Sequence, residues 1–107
     1  MAKTIRIKYE GLDYTLEFTR NSIVTMERNG FNVTELQSKP MTRFSQLFAG
    51  AFLAHHKSVK QSEIDKIFAA LGNKEKLLTS LVDMYNEPLS TLIEDGGNEG
   101  NAIWEED

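Results

Sequence analysis

The chain has 107 residues, a formal net charge of −4 and no cysteine. This length suits one domain with a real hydrophobic core, and the lack of cysteine excludes disulfides, thiolate zinc sites, iron–sulfur clusters and cysteine nucleophiles. Residues 1–93 carry 12 basic and 10 acidic side chains, whereas residues 94–107 carry six acidic and no basic ones, so a nearly neutral body precedes an acidic tail.

The first predicted element is a β-hairpin over residues 3–18, where apolar and polar side chains alternate with period two. A two-residue loop of Glu10 and Gly11 sets a register that places Lys8 opposite Asp13 on the polar face. The apolar face then pairs Ile5 with Leu16, Ile7 with Tyr14 and Tyr9 with Leu12, and continues to Phe18.

A short helix is predicted next, over about residues 21–29, with Asn21 as its N-cap. Gly30 suits the left-handed position after the helix, and Phe31 is expected to fold back onto Met26 in a Schellman ending.

The second predicted helix covers about residues 40–57 and begins at Pro40. Its apolar residues recur at helical spacing and its flanks are apolar too, which indicates a central, buried helix. The longest uncharged run, residues 44–56, is shorter than the roughly 20 residues that a bilayer requires. No signal-peptide core is visible near the N-terminus, so the chain is expected to stay in the cytoplasm where it is made.

Two further helices are predicted over residues 62–71 and 74–94. The spacing of Ser62 and Asp65 resembles a capping box at the start of the third helix. Pro88 lies within the apolar stripe of the fourth helix, where a proline is expected to kink or split it.

The acidic tail, residues 95–107, combines glycines with carboxylates, a composition typical of disorder. The sequence therefore predicts an α+β fold. An N-terminal β-hairpin packs on a mainly α-helical bundle of about four helices in a single domain of residues 1–94, followed by the disordered acidic tail.

No catalytic, cofactor or metal site is predicted. His55 and His56 are adjacent on a helix and project about 100° apart, so they do not bind one metal ion together. They are interpreted as an ordinary pair at a helix end, where histidine favours the helix dipole. The sequence has no nucleophile elbow, phosphate-binding loop or metalloprotease helix, and we expect no enzyme activity.

A nucleic-acid hypothesis arises because the third and fourth helices loosely resemble a helix-turn-helix motif. The second of them opens with KEKLLTSLVDM, which offers two lysines but no Arg, Gln or Asn to read bases. The nearly neutral body and the acidic tail also disfavour phosphate binding, so neither nucleic acid nor membrane is the expected partner.

Protein binding is favoured because the second and fourth helices together carry more apolar surface than a small body is expected to bury. The alternative is that the hairpin and helices bury all of it. Ile103 and Trp104 are the only large apolar residues of the tail. They are interpreted either as a docking motif that folds on binding or as a contact back onto the body.

Three segments, residues 14–33, 44–71 and 77–89, resemble the small tail assembly chaperones of long-tailed, siphovirus-type bacteriophages, particularly those of Gram-positive hosts. The likeness covers about residues 5–93. Its features are an E-x-x-G helix ending (Glu27, Gly30), an L-F-x-x-x-F helix core (Leu47, Phe48, Phe52) and an S-E-I-D helix start (Ser62 to Asp65).

The resemblance implies a non-enzymatic protein in the host cytoplasm that is absent from the mature virion. Such chaperones bind the tape measure protein, keep it soluble and help to recruit tail tube subunits during tail morphogenesis. In many relatives a ribosomal frameshift gives a longer product that contacts the tail tube protein. Self-association is a further option.

The residues expected to contact a partner lie mainly on the second and fourth helices; they are Phe48, Phe52, Met84, Tyr85, Leu89 and Leu92, with Ile103 and Trp104 as a second contact. Two other functions stay open. One is a small phage or prophage DNA-binding regulator that uses helices three and four, and the other is a structural tail or head-completion protein.

Overall fold

The computed structural model describes the backbone of residues 4–94 and the side chains of residues 4–90. Within this part of the chain, a two-stranded antiparallel sheet precedes four α-helices, which confirms the predicted α+β fold. The strands are β1 (Ile5–Tyr9) and β2 (Leu12–Leu16), and the helices are α1 (Arg20–Arg28), α2 (Pro40–Gly50), α3 (Gln61–Ala70) and α4 (Lys74–Glu94). A 3₁₀ turn, Val33–Glu35, lies between α1 and α2. The acidic tail lies outside the described residues.

The hairpin has the predicted register, with Lys8 opposite Asp13. Its loop residues Glu10 and Gly11 have positive φ angles of 50° and 79°. Positive φ at both central residues is the signature of the type I′ turn, whose twist matches that of the flanking strands.

The predicted apolar face of the hairpin is only partly buried. The exposed fraction of the side chains on β2 rises from 0% at Leu16 and 6% at Tyr14 to 59% at Leu12. Leu12 therefore has the predicted partner, Tyr9, but is exposed to solvent. Period-two alternation identifies the face on which a side chain lies, but the helices cover that face only away from the turn.

The N-cap of α1 is Thr19, so the prediction of Asn21 was wrong. The backbone N–H of Ser22 donates to Oγ1 of Thr19 at 3.1 Å, and the backbone N–H of Thr19 donates to Oγ of Ser22 at 2.8 Å. Ser22 takes the place that Glu or Gln usually has in a capping box, and the reciprocal pair satisfies two backbone donors.

The C-terminus of α1 is the predicted Schellman motif. Gly30 has a φ of 97°, its N–H donates to the Glu27 carbonyl at 3.0 Å, and the N–H of Phe31 donates to the Met26 carbonyl at 3.0 Å. Both Phe31 and Met26 are buried in the same core cluster.

Helix α2 begins at Pro40 as predicted but ends at Gly50, well before residue 57. The backbone continues over residues 51–55 as a series of turns. The Ala51 carbonyl accepts a hydrogen bond from the N–H of Glu17 at 3.0 Å, which ties the end of the helix to the hairpin. The apolar pattern continues through this segment, so the pattern alone overestimated the length of the helix.

Helix α3 begins at Gln61, after Lys60 as an N-cap that makes no side-chain hydrogen bond. The predicted capping box of Ser62 and Asp65 was wrong, because Ser62 already lies inside the first turn; Asp65 accepts from Nε2 of Gln61 at 2.9 Å instead.

Helix α4 has the predicted bounds and continues through Pro88, so the proline does not split it.

One hydrophobic core lies between the hairpin and the helices. Its largest fully buried side chains are Leu16, Leu47, Phe48, Phe52, Ile67, Leu81 and Tyr85. No helix within residues 4–94 is both long and apolar enough to cross a membrane.

Candidate protein-binding groove

A groove of about 530 Å³ runs along the outer face of α2. The helix contributes Met41, Thr42, Ser45, Gln46 and Ala49, whose spacing places them on one face. Its walls are the end of α1, the segment after α2 and the start of α3. The apolar lining outside α2 includes Met26, Phe31, Phe52, Leu53, Val59 and Ile64. We refer to this surface as the α2 groove.

Helix α2 therefore has two faces with different environments, an apolar one toward the core and a mixed one toward the groove. Leu47 and Phe48 on one face are buried in the core. Met41 on the groove face is 89% exposed, the highest exposure among the large apolar residues of the described chain. A methionine side chain is flexible and polarisable, so it adapts to apolar groups of different shapes.

The floor of the groove depends on close contact between α1 and α2. A Cβ atom built on Gly50 would overlap the sulfur and the terminal methyl group of Met26. Because Gly50 has no side chain, Met26 packs directly against the α2 backbone, and both residues line the groove.

The segment after α2 is held on the open edge of β2. Nε2 of His56 accepts a hydrogen bond from the backbone N–H of Thr15 at 2.9 Å, and its ring lies edge-on to Tyr14 with 5.3 Å between centroids. This bond requires an unprotonated Nε2. With the bond from Glu17 to Ala51, it occupies two outward-facing donors of the strand edge and fixes one wall of the groove.

His55 points elsewhere, and its Nε2 lies 2.7 Å from Oε1 of Glu17. The two histidines thus have separate partners rather than a shared site. Among the described residues, no group of three or more His, Asp or Glu side chains is placed to hold a metal ion. The interpretation of the pair as ordinary helix-end residues missed both contacts, because each depends on a hairpin about 40 residues earlier in the chain.

The charge at the groove comes from one residue. Lys57 is the only fully charged side chain in the described lining, which contains no Asp or Glu. Arg43 of the same helix is engaged elsewhere, since its Nε donates to Oε1 of Glu35 at 2.9 Å. This hydrogen bond, with the charges of Arg43 and Lys39, lowers the pKa of the Glu35 carboxyl.

The structure places four of the eight predicted contact residues in the core. Phe48, Phe52, Met84 and Tyr85 are all buried, and Leu89 is half-buried against them. Of these, only Phe52 lines the α2 groove. The side chain of Leu92 and the whole of Ile103 and Trp104 lie outside the described residues.

These residues were assigned to a partner surface because they form the strongest apolar stripes in the sequence. Four of them are buried in the described chain, because the strongest stripe of a helix faces its own core first. The groove is lined by the weaker second face of α2, with Met41 and Ala49, and by Leu53 and Val59.

The side chain of Tyr85 packs inside the core rather than at the groove. Its ring lies edge-on to Phe18 and Phe31, with centroid distances of 5.4 and 5.5 Å. Burial, with the charge of Glu27 and the hydrogen bond to it, raises the pKa of the Tyr85 hydroxyl to about 12. The hydroxyl therefore stays protonated at neutral pH and acts as a donor inside the fold.

A family model described as "Domain of unknown function (DUF5055)" matches residues 1–107. No curated protein and no solved structure matches the chain.

Proposed function

We propose that this chain, which belongs to the DUF5055 family, is a tail assembly chaperone of a long-tailed bacteriophage. In this function it binds the tape measure protein through the α2 groove, keeps it soluble and helps to recruit tail tube subunits. The observation that carries the proposal is an open groove on a small body, with the apolar side chains of Met41, Leu53 and Val59 in its lining.

The groove has the chemistry that an amphipathic helix of a client requires. Its floor is apolar, and Gln46, Gln61 and Lys57 supply hydrogen-bonding groups at the side. Such a surface accepts successive apolar side chains from one face of a helix. The exposed Met41 adapts to clients of different sequence, which suits a long protein with many similar binding segments.

The proposed cycle takes place in the host cytoplasm and ends before the virion is complete. Each groove covers only a short client segment, so many copies hold one tape measure protein through individually weak contacts. Tail tube subunits displace them as they polymerise. A frameshifted longer product would supply the contact with the tube protein.

The start of α4 argues against the DNA-binding alternative. In that alternative α4 is the recognition helix, and its first residues contact the DNA. Nζ of Lys74 donates to the Leu71 carbonyl at 2.6 Å and lies 5.1 Å from the centroid of the Phe68 ring. One of the two lysines at this helix start is therefore used within the fold. Salt-sensitive DNA binding by the purified protein would favour this alternative, and presence of the chain in mature virions would favour a structural role.

The test is co-expression with the long, helix-rich protein encoded downstream, comparing the wild type with Met41→Glu and Leu12→Glu. Both substitutions place a carboxylate on an exposed apolar residue, but only Met41 lines the groove. We expect the wild type and Leu12→Glu to keep the client soluble and Met41→Glu to lose that effect. A client that is equally insoluble with and without the wild-type chain would contradict the proposal.

A further inference from the structure

We propose that residues 95–107 of the chain itself dock in the α2 groove, with Ile103 and Trp104 against its apolar floor. This occupant is independent of any client, because the inference concerns the isolated chain. The groove is then covered in the free protein.

The first argument is charge complementarity. Residues 95–107 have five acidic and no basic side chains. The described lining of the groove contains Lys57 and no acidic residue, so the charge that the lining itself presents to an acidic segment is attractive. Three of the five acids, at positions 105–107, directly follow Trp104 in the sequence.

The second argument is the match of apolar groups. Ile103 and Trp104 are the only large apolar residues of the segment, and the groove offers about 530 Å³ beside Met41, Leu53 and Val59. Burying an indole ring removes roughly 150–250 Å² of surface from water, which favours any site that accepts it. Met41, at 89% exposure, is a side chain that such a contact would cover.

The third argument is reach. The ring of Tyr85 lies 5.5 Å from that of Phe31, which lines the groove. Helix α4 ends at Glu94, about 14 Å further along its axis at the usual helical rise. The ten residues from Glu94 to Trp104 extend up to about 33 Å. The segment therefore reaches the groove even if the helix points away from it.

The first test uses Trp104, the only tryptophan, as a fluorescent probe in the full chain. We expect emission at shorter wavelength and weaker acrylamide quenching than in a free peptide of residues 95–107. Met41→Glu and Lys57→Glu should return both quantities to the peptide values. Leu12→Glu and Lys66→Glu, which alter exposed residues outside the groove, should leave them unchanged.

The second test leaves the groove intact and follows the methionine methyl groups by NMR. An indole ring beside Met41 shifts its methyl signal, so Trp104→Ala should move the Met41 signal and leave that of the buried Met84 in place. Peptide-like emission in the full chain, or a Met41 signal that ignores Trp104→Ala, would overturn the proposal. Shielding of Trp104 that grows with protein concentration would also overturn it, in favour of a tail supplied by a second copy.

Discussion

Gly50 sets the distance between α1 and α2 by lacking a side chain. In the sequence it is one small residue within an apolar helix, and nothing there indicates the contact that requires it. In the structure Met26 occupies the space that a Cβ of Gly50 would need, whereas a Cβ at Gly72 would meet no atom within 4 Å. The requirement for glycine thus comes from a residue 24 positions earlier.

Gly50→Ala is expected to lower the free energy of unfolding by up to about 2 kcal/mol, because the overlap with the buried end of Met26 costs more than the roughly 0.5–1 kcal/mol that alanine gains over glycine within a helix. Gly72→Ala is the matched control and should be neutral or slightly stabilising, by up to about 1 kcal/mol, because alanine restricts the unfolded chain. Urea unfolding of both variants provides the measurement. Equal stability of the two would show that the contact between Gly50 and Met26 can relax without cost.

The ion pair of Glu35 and Arg43 makes the free energy of unfolding depend on pH. The pKa of Glu35 is lowered in the folded state, so its stabilising effect is fully present above the pKa of the unfolded chain. This effect is lost as the pH falls through the lowered folded value. In urea unfolding between pH 7 and acid, Glu35→Gln should lose stability less steeply than the wild type; identical slopes would contradict the assignment.

At the scale of elements, the helix boundaries depend on backbone hydrogen bonds that propensity alone does not identify. Both Thr19 and Asn21 are good N-cap residues, and only the reciprocal bonds with Ser22 select Thr19. At the other end, the Schellman motif of α1 was predictable because Gly30 and Phe31 occupy adjacent positions with a strict geometry. The sequence therefore predicts the end of a helix well where only one residue type suits the required backbone geometry.

Thr19→Ala should cost about 1 kcal/mol of stability, since it removes the side-chain acceptor for the N–H of Ser22. Asn21→Ala is the control, because Asn21 is an exposed residue inside the first turn and should change stability by less than about 0.5 kcal/mol. Thermal unfolding followed by circular dichroism separates the two. A larger loss for Asn21→Ala would restore Asn21 as the cap.

At the scale of the whole molecule, the segment after α2 joins the two halves of the chain. His56 accepts the hydrogen bond of Thr15 across 41 residues, and Ala51 accepts that of Glu17. These contacts close the outer edge of β2 and hold the wall of the α2 groove. A strand edge that is covered by another part of the chain is also protected from pairing with other molecules.

His56→Phe should retain the ring that packs on Tyr14 while removing the acceptor for Thr15. We expect faster hydrogen exchange at the Thr15 amide in this variant, because its N–H loses its partner. His55→Phe keeps Nε2 of His56 and should leave exchange at Thr15 unchanged. Unaltered protection in His56→Phe would show that another group covers this edge.

The sequence by itself determined the fold class, the hairpin register, the Schellman ending of α1 and the bounds of α4. Each of these follows from a local period or a turn residue whose geometry has few solutions. The tertiary structure alone decided where α2 ends, which face of it stays open and that Phe48, Met84 and Tyr85 lie in the core. The physical reason is that periodicity shows which side chains share a face, whereas burial depends on which distant element packs against that face.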